Sequence, residues 1–233
     1  MTSSSQPPRQ QLSLTMPSEP AYEVTDFMVS DCNRLAFDRI WAWPEWEAPT
    51  LLIYGPAASG KTHLAHIWAA RSHAGFIQAS DLTAAEVETL IAEQKLGQCW
   101  VVENVQHSPE EAALFHLLNA VREQKGYVLF TSDAPASQLP FTLPDLCSRM
   151  AALPVQPLYS PDETVLTTVL IKQFSDRQLR VGEEVIAYLV ARIDRSYAAA
   201  REWVERIDAA AWESRRKISI PLMRQLLEEQ ESK

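Results

Sequence analysis

The octet Gly55-Pro56-Ala57-Ala58-Ser59-Gly60-Lys61-Thr62 constrains this chain more than any other stretch. It satisfies G-x-x-x-x-G-K-[ST], the phosphate-binding loop. It also stands where that loop must stand, between a strand and a helix. The apolar run Leu51-Leu52-Ile53-Tyr54 precedes it and reads as a buried strand, and His63 to Arg71 follow as a helix. Gly55 and Gly60 let the backbone turn tightly, so that successive N–H groups face one concavity. The helix beginning near Lys61 adds the positive end of its dipole. Lys61 then suits the β- and γ-phosphates, and the Thr62 hydroxyl suits Mg²⁺.

The rest of the chain spells a layered α/β body. Gly75–Ala79, Cys99–Val102, Tyr127–Thr131 and Leu153–Val155 read as four more short apolar strands. Helical segments separate them: Leu82–Lys95, then one opened by the capping box Ser108-Pro109-Glu110-Glu111 and running to about Gln124. Strands alternating with helices predict a parallel sheet covered on both faces. From Ser160-Pro161-Asp162-Glu163, a second capping box, the pattern becomes helical only, with helices expected near 162–177, 183–193, 196–213 and 220–231. Pro157 to Ser160 is the hinge. The expected division is a tail at 1–22, a nucleotide-binding α/β domain at 23–158 and a helical lid at 159–233.

Composition limits the function. Lys and Arg number 21 against 30 Asp and Glu, a formal net charge of −9. That disfavours binding to nucleic acid phosphates as the main activity, so direct DNA contact is expected to be weak if it occurs. Cys32, Cys99 and Cys147 are odd in number and lack metal-ligand spacing, as for reduced thiols in a cytoplasmic protein. No apolar run approaches a membrane span. His63 and His66 share a helix face at i, i+3, but no third ligand accompanies them, and they read as packing or surface residues.

Two stretches admit two readings each. Residues 1–22 are rich in Ser, Pro and Gln and read as disordered, yet contain Gln10-Gln11-Leu12-Ser13-Leu14-Thr15-Met16. Its alternating apolar residues suit either an extended peptide docked in a partner's pocket or a return onto the chain's own domain. Trp41, Trp43 and Trp46 cluster around the helical stretch Leu35–Trp43. Trp41 is expected in the core and the other two at the helix end near Pro44. A base-stacking surface is less favoured, because little positive charge is interleaved.

The order of these motifs resembles the AAA+ module of the bacterial replication initiator DnaA, and more closely the Hda family of small DnaA-related regulators. The resemblance covers about residues 10–230, without the initiator's N-terminal interaction domain or C-terminal helix-turn-helix domain. It implies an AAA+ fold with a five-stranded parallel sheet and a C-terminal helical lid. It implies ADP or ATP as the ligand, with Mg²⁺ held by Thr62 and Glu103. Nucleotide contact falls to Met28 and Val29 on the adenine side, then to Gly55, Pro56, Ala57, Ala58, Ser59, Gly60, Lys61, Thr62 and His63. Glu103-Asn104 stands at the Walker B position, where the family has a first acid, usually Asp, and a second acid that activates water. An amide at Asn104 takes no proton at neutral pH.

Asp133 matches the sensor 1 position and Arg149 the arginine finger, which acts in trans. Ala198 falls at the sensor 2 position, with Arg195 and Arg201 three residues to either side as substitutes. Gln11, Leu12 and Leu14 resemble the peptide by which Hda binds the DNA polymerase III β sliding clamp. The expected partners are therefore DnaA and the clamp, with self-association an open alternative. The implied function is an adapter with weak or no ATPase of its own that stimulates ATP hydrolysis by DnaA and so restrains initiation. The alternative is an autonomous P-loop ATPase such as a helicase loader.

Overall fold

The computed structural model describes residues 27–214 and 217–231. Gln11, Leu12 and Leu14, with the rest of the proposed docking peptide, lie outside the described residues. The chain runs α1 (Arg34–Trp41), β1 (Thr50–Tyr54), α2 (Lys61–Ser72), β2 (Gly75–Gln78), α3 (Ala84–Ala92), β3 (Cys99–Glu103), α4 (Glu111–Glu123), β4 (Tyr127–Ser132), α5 (Pro144–Ala151) and β5 (Val155–Pro157). Four helices follow: α6 (Glu163–Asp176), α7 (Glu183–Val190), α8 (Tyr197–Ser214) and α9 (Ile220–Glu231).

All the strand pairings are parallel, in the order β2-β3-β4-β1-β5. Strand β1 is unbroken apolar sequence because both its faces are covered. Leu51 and Ile53 enter one core with Ile40, Leu64, Ile67 and Trp68. Leu52 enters the other, with Leu114, Leu117 and Phe130. The lid has its own core around Leu170, Phe174, Leu189, Val204 and Met223. In an open parallel sheet the ligand crevice lies beyond the carboxyl ends of the strands, where the strand order reverses. Here β1 delivers residues 55–60 to that edge, flanked by the ends of β4 and β5.

Several local expectations are corrected. The last strand forms at Val155–Pro157 rather than Leu153–Val155, with the Pro154 carbonyl accepting from Leu52 N at 2.9 Å. As an edge strand, β5 tolerates Pro157, whose missing N–H is needed by no outer neighbour. The tryptophans exchange roles: Trp41 is exposed, stacked on Phe37 beneath the Arg71 guanidinium. Trp46 is buried against Trp68 and donates its indole N–H to the Arg39 carbonyl at 2.8 Å. A buried indole needs such an acceptor.

Neither capping box forms. Helix α4 begins at Glu111, with no side-chain cap at Glu110. The Glu111 carboxylate instead accepts from Thr142 N and Leu143 N, at 2.9 and 2.6 Å, just ahead of α5. In α6 the cap is Asp162, not Ser160: its carboxylate accepts from Val165 N at 2.9 Å. An Asp at the Ncap satisfies an otherwise orphaned N–H by itself.

Candidate functional site

The loop after β1 is shaped by two positions that only glycine fills. A Cβ on Gly55 would lie 2.0 Å from the Leu158 carbonyl oxygen, where the chain leaves β5 for the lid. Gly60 has φ +101°, and Ala58 is also left-handed at φ 55°. For an L-residue that conformation costs about 1 kcal/mol or more. Gly60 caps α2, so the free N–H groups of that helix's first turn open onto the loop.

Lys61 is 7% exposed, and its ammonium has three acceptors. It donates to the Gly55 carbonyl at 2.7 Å and the Pro56 carbonyl at 2.8 Å, and lies 3.0 Å from Asp133 Oδ1. Asp133, beyond the end of β4, also accepts from Gln106 Nε2 at 3.0 Å. The fold therefore unites Lys61 with the residue from the sensor 1 position. The Ser59 hydroxyl is buried in the same loop with no protein partner. Thr62 and His63 are half-buried on the first turn of α2, with His63 edge-on to Phe27 at 5.2 Å.

Glu103 ends β3 as a buried carboxylate. Its Oε2 accepts from Gln78 Nε2 at 2.9 Å, while Oε1 is buried without a partner. Asn104 follows in left-handed conformation, φ 57°, its N–H bonded to Thr131 Oγ1 at 3.0 Å. Burial pushes the His66 imidazole below its ordinary value, opposed in part by the negative charge of Glu103. His66 stacks on Phe76 at 4.4 Å. Among the described residues, no group of three His, Cys, Asp or Glu side chains could hold a metal. A divalent ion here would depend on ligand oxygens and hydroxyls as well as Glu103. An unpartnered buried carboxylate oxygen and a loop that excludes Cβ atoms both fit a metal–phosphate ligand.

The segment expected on the adenine side is held by Asn33, itself 2% exposed. Its amide donates to the Met28 carbonyl at 2.8 Å and accepts from Ser30 N at 2.9 Å. Phe27, the residue before Met28, packs against His63 and borders Gly60 of the loop. On the lid side, Arg195 and Arg201 make no hydrogen bond or ion pair with these loop residues. Arg195 precedes α8 and is ion-paired with exposed Glu163 at 2.5 Å, so it is not on one helical face with Arg201. Arg201 is exposed on α8.

The lid residue that does meet the loop is Tyr197, which spacing from the motif alone did not single out. Its N–H donates to the Ala58 carbonyl at 3.3 Å, and its ring closes over Gly60. Only its place next to Ala198 hinted at this position. Gln78 and Gln106, which orient Glu103 and Asp133, were equally unmarked.

Arg149 is exposed on α5. That helix is anchored through buried Leu146 and Met150. The guanidinium makes no hydrogen bond or ion pair with another described residue.

These features define a class: an AAA+ module, a phosphate-loop α/β domain on a five-stranded parallel sheet with a C-terminal helical lid. Residues 162–227 match the family described as the Hda lid domain. The chromosomal replication initiator protein DnaA of Caldanaerobacter subterraneus is 24% identical over 234 residues, covering 90% of this chain and 52% of the initiator. The chain thus spans about half the length of that relative. Domain III of the Thermotoga maritima DnaA superposes with a TM-score of 0.76 at 18% identity, covering 92% of this chain and 98% of that one. AMPPCP-bound DnaA from Aquifex aeolicus gives 0.68 at 19% identity, covering 84% and 67%. The chain is thus similar to DnaA in sequence and in fold, and its lid matches the Hda lid family. None of its described helices is long and apolar enough to cross a membrane.

Proposed function

We propose that the chain is a nucleotide-binding adapter that docks on the sliding clamp and stimulates ATP hydrolysis by DnaA, restraining initiation of replication. One observation carries this reading. The phosphate loop is complete, while the hydrolytic position beside Glu103 holds an amide, Asn104, and Arg149 stands exposed without a partner of its own. A site that holds nucleotide but lacks a base suits a protein whose catalytic contribution is made to a neighbour.

ADP or ATP would lie between the sheet domain and the lid. The loop N–H groups and Lys61 would hold the phosphates, with the base beside Met28 and Val29. Lys61 is already drawn to the loop by the Gly55 and Pro56 carbonyls, and phosphate oxygens would compete for the same donor. Thr62 and Glu103 would hold Mg²⁺, which would supply neutralising charge to the phosphates. Gln78 keeps the Glu103 carboxylate from rotating by bonding one of its oxygens. Gln11, Leu12 and Leu14 would engage the clamp as an extended peptide, bringing the AAA+ module to DNA without a strong DNA site of its own.

Arg149 is the residue offered to DnaA. Transfer of a γ-phosphoryl group spreads negative charge over its oxygens, and a guanidinium inserted from a neighbour neutralises that charge. A planar fork that stays protonated suits this better than an ammonium. The autonomous-ATPase reading is separated from this one by turnover. The test measures ATP hydrolysis by the chain alone, by DnaA alone, and by both with clamp loaded on DNA. The expected result is little turnover by the chain and a marked rise for the combination. Robust multiple turnover by the isolated chain, with no effect on DnaA, would favour the autonomous ATPase.

A further inference from the structure

Tyr197 is the first residue of α8, and three parts of the molecule meet on it. Its backbone N–H reaches the Ala58 carbonyl of the phosphate loop at 3.3 Å. Its ring comes within 3.3 Å of where a Cβ on Gly60 would lie, with Phe27 on the other side at 3.6 Å. Its phenol neighbours the side chain of Asn33, the residue that holds the Met28 carbonyl and Ser30 N–H. Burial pushes the phenol up to about 12, with the Asn33 side chain opposing that shift.

The local chemistry explains why the contact forms. The first N–H groups of a helix have no partner within it. In α8 the Ser196 hydroxyl takes the Ala199 N–H at 3.0 Å, and the loop takes the Tyr197 N–H. The lid is therefore capped by the phosphate loop itself. The strained left-handed turn at Ala58 belongs to the same contact.

Resting on the nucleotide-binding reading above, we propose that Tyr197 is the positioning residue that couples an adenine nucleotide in the loop to the lid. A ligand spanning from the loop N–H groups to Met28 and Val29 would pass Gly60, which the Tyr197 ring covers, and the Asn33 amide that holds Met28. Ordering those groups strengthens the Tyr197 contacts. By linkage, the Tyr197 contacts then retain the ligand. Tyr197 thus does for the lid, by packing and hydrogen bonding, what no lid arginine is placed to do: Arg195 is committed to Glu163, and the sensor 2 position is Ala198.

The test is release of N-methylanthraniloyl-ADP from the full chain by stopped-flow fluorescence, with hydrogen exchange at residues 157–163 and 196–200 of the nucleotide-saturated protein. Tyr197→Phe keeps the ring and the backbone N–H and removes only the hydroxyl beside Asn33, and should release the probe about 2- to 12-fold faster, the range for one lost polar contact. Tyr197→Ala should release it faster still and speed exchange at the hinge and the start of α8, with Phe restoring part of both. Should Tyr197→Ala fail to fold, Tyr197→Phe alone carries the test. Release at the parent rate from both variants overturns the proposal, even if their melting temperatures fall. In that case probe binding that Lys61→Ala weakens leaves the nucleotide reading standing. A parent protein that takes up no probe overturns both.

Discussion

The two walls of the crevice are built on different principles. On the sheet side a cation, Lys61, is almost wholly buried and gripped by two loop carbonyls and Asp133. On the lid side the cations are outside: Arg195 is 57% exposed at the side chain and engaged with Glu163, and Arg201 is exposed on α8. What the lid presses on the loop is an aromatic ring and a helix N–H, both from Tyr197. Under the proposed function, this difference would let the module hold a nucleotide and hydrolyse it poorly. Binding needs one wall with preset donors, whereas hydrolysis needs charge placed from the other side as well. Arg149, exposed on α5 without a hydrogen bond or ion pair to another described residue, is open to a second protein.

The largest expected effect is at Arg149. Arg149→Ala should leave the fold and nucleotide binding unchanged, yet abolish stimulation of DnaA ATPase, an effect of about 10³–10⁵ where such fingers operate fully. A reconstituted assay with DnaA, clamp and DNA measures it, and Arg149→Lys should recover little, since a point charge lacks the fork. Full stimulation by Arg149→Ala would move the trans-acting role to the lid arginines and break the contrast between inward and outward cations.

Next in size is Lys61→Ala, which should weaken ADP or ATP binding by about 10- to 150-fold, the range for a lost charge-assisted hydrogen bond. Calorimetry on the purified chain measures this. Unchanged affinity would mean that the sheet-side wall is not the phosphate site.

Much of that wall was legible in the sequence, because a phosphate loop is local: eight consecutive residues with a strand before and a helix after suffice. The sheet was legible as well, since strands buried on both faces must be apolar throughout, as in Leu51–Tyr54. What was not legible depends on long-range partners. Glu111 looked like a capping residue, but its carboxylate is claimed by a loop 31 residues away. Trp41 and Trp46 are alike in a pattern, and only the position of Trp68 decides which is buried. A substitute for the sensor 2 residue reads from sequence as an arginine, because charge is what a motif records. A tyrosine that acts through its backbone N–H and ring leaves no such mark.

Glu111 sharpens the comparison from outside the crevice. Its carboxylate, bonded to Leu143 N–H and Thr142 N–H, holds the start of the helix that carries Arg149. Those bonds hold its carboxyl below the usual 4.5, against a smaller opposing push from burial. A depressed acid contributes stability that is full above its unfolded value and is lost as pH falls through its folded value. Glu111→Gln should therefore lower the melting temperature modestly at neutral pH. The difference from the parent should close as pH drops below the ordinary carboxylate range. At neutral pH the same variant should reduce DnaA stimulation more than nucleotide affinity, because it loosens α5 and not the loop. Melting curves across the acid range and the reconstituted assay measure the two. A gap that widens on acidification would show that the carboxylate is not held as charged.

The smallest effect is expected at Arg195, and it is the direct test of the lid-side wall. The Arg195–Glu163 pair joins two exposed side chains, and such pairs are worth about 0–1 kcal/mol because water and salt screen them. Arg195→Ala should therefore change nucleotide affinity by less than about fivefold, the equivalent of that energy. Melting should shift by no more than about 2–4 °C for a chain of this size. Both should shrink further at high salt, since the pair lies in solvent. If Arg195→Ala instead loses as much affinity as Lys61→Ala, then Arg195 leaves Glu163 when nucleotide binds and serves as the lid's clamp. The two walls would then be alike in kind, and the hydrolytic weakness would fall on Asn104 alone. Measuring both variants in one calorimetric series, at low and high salt, decides between a lid that grips by charge and one that closes by packing.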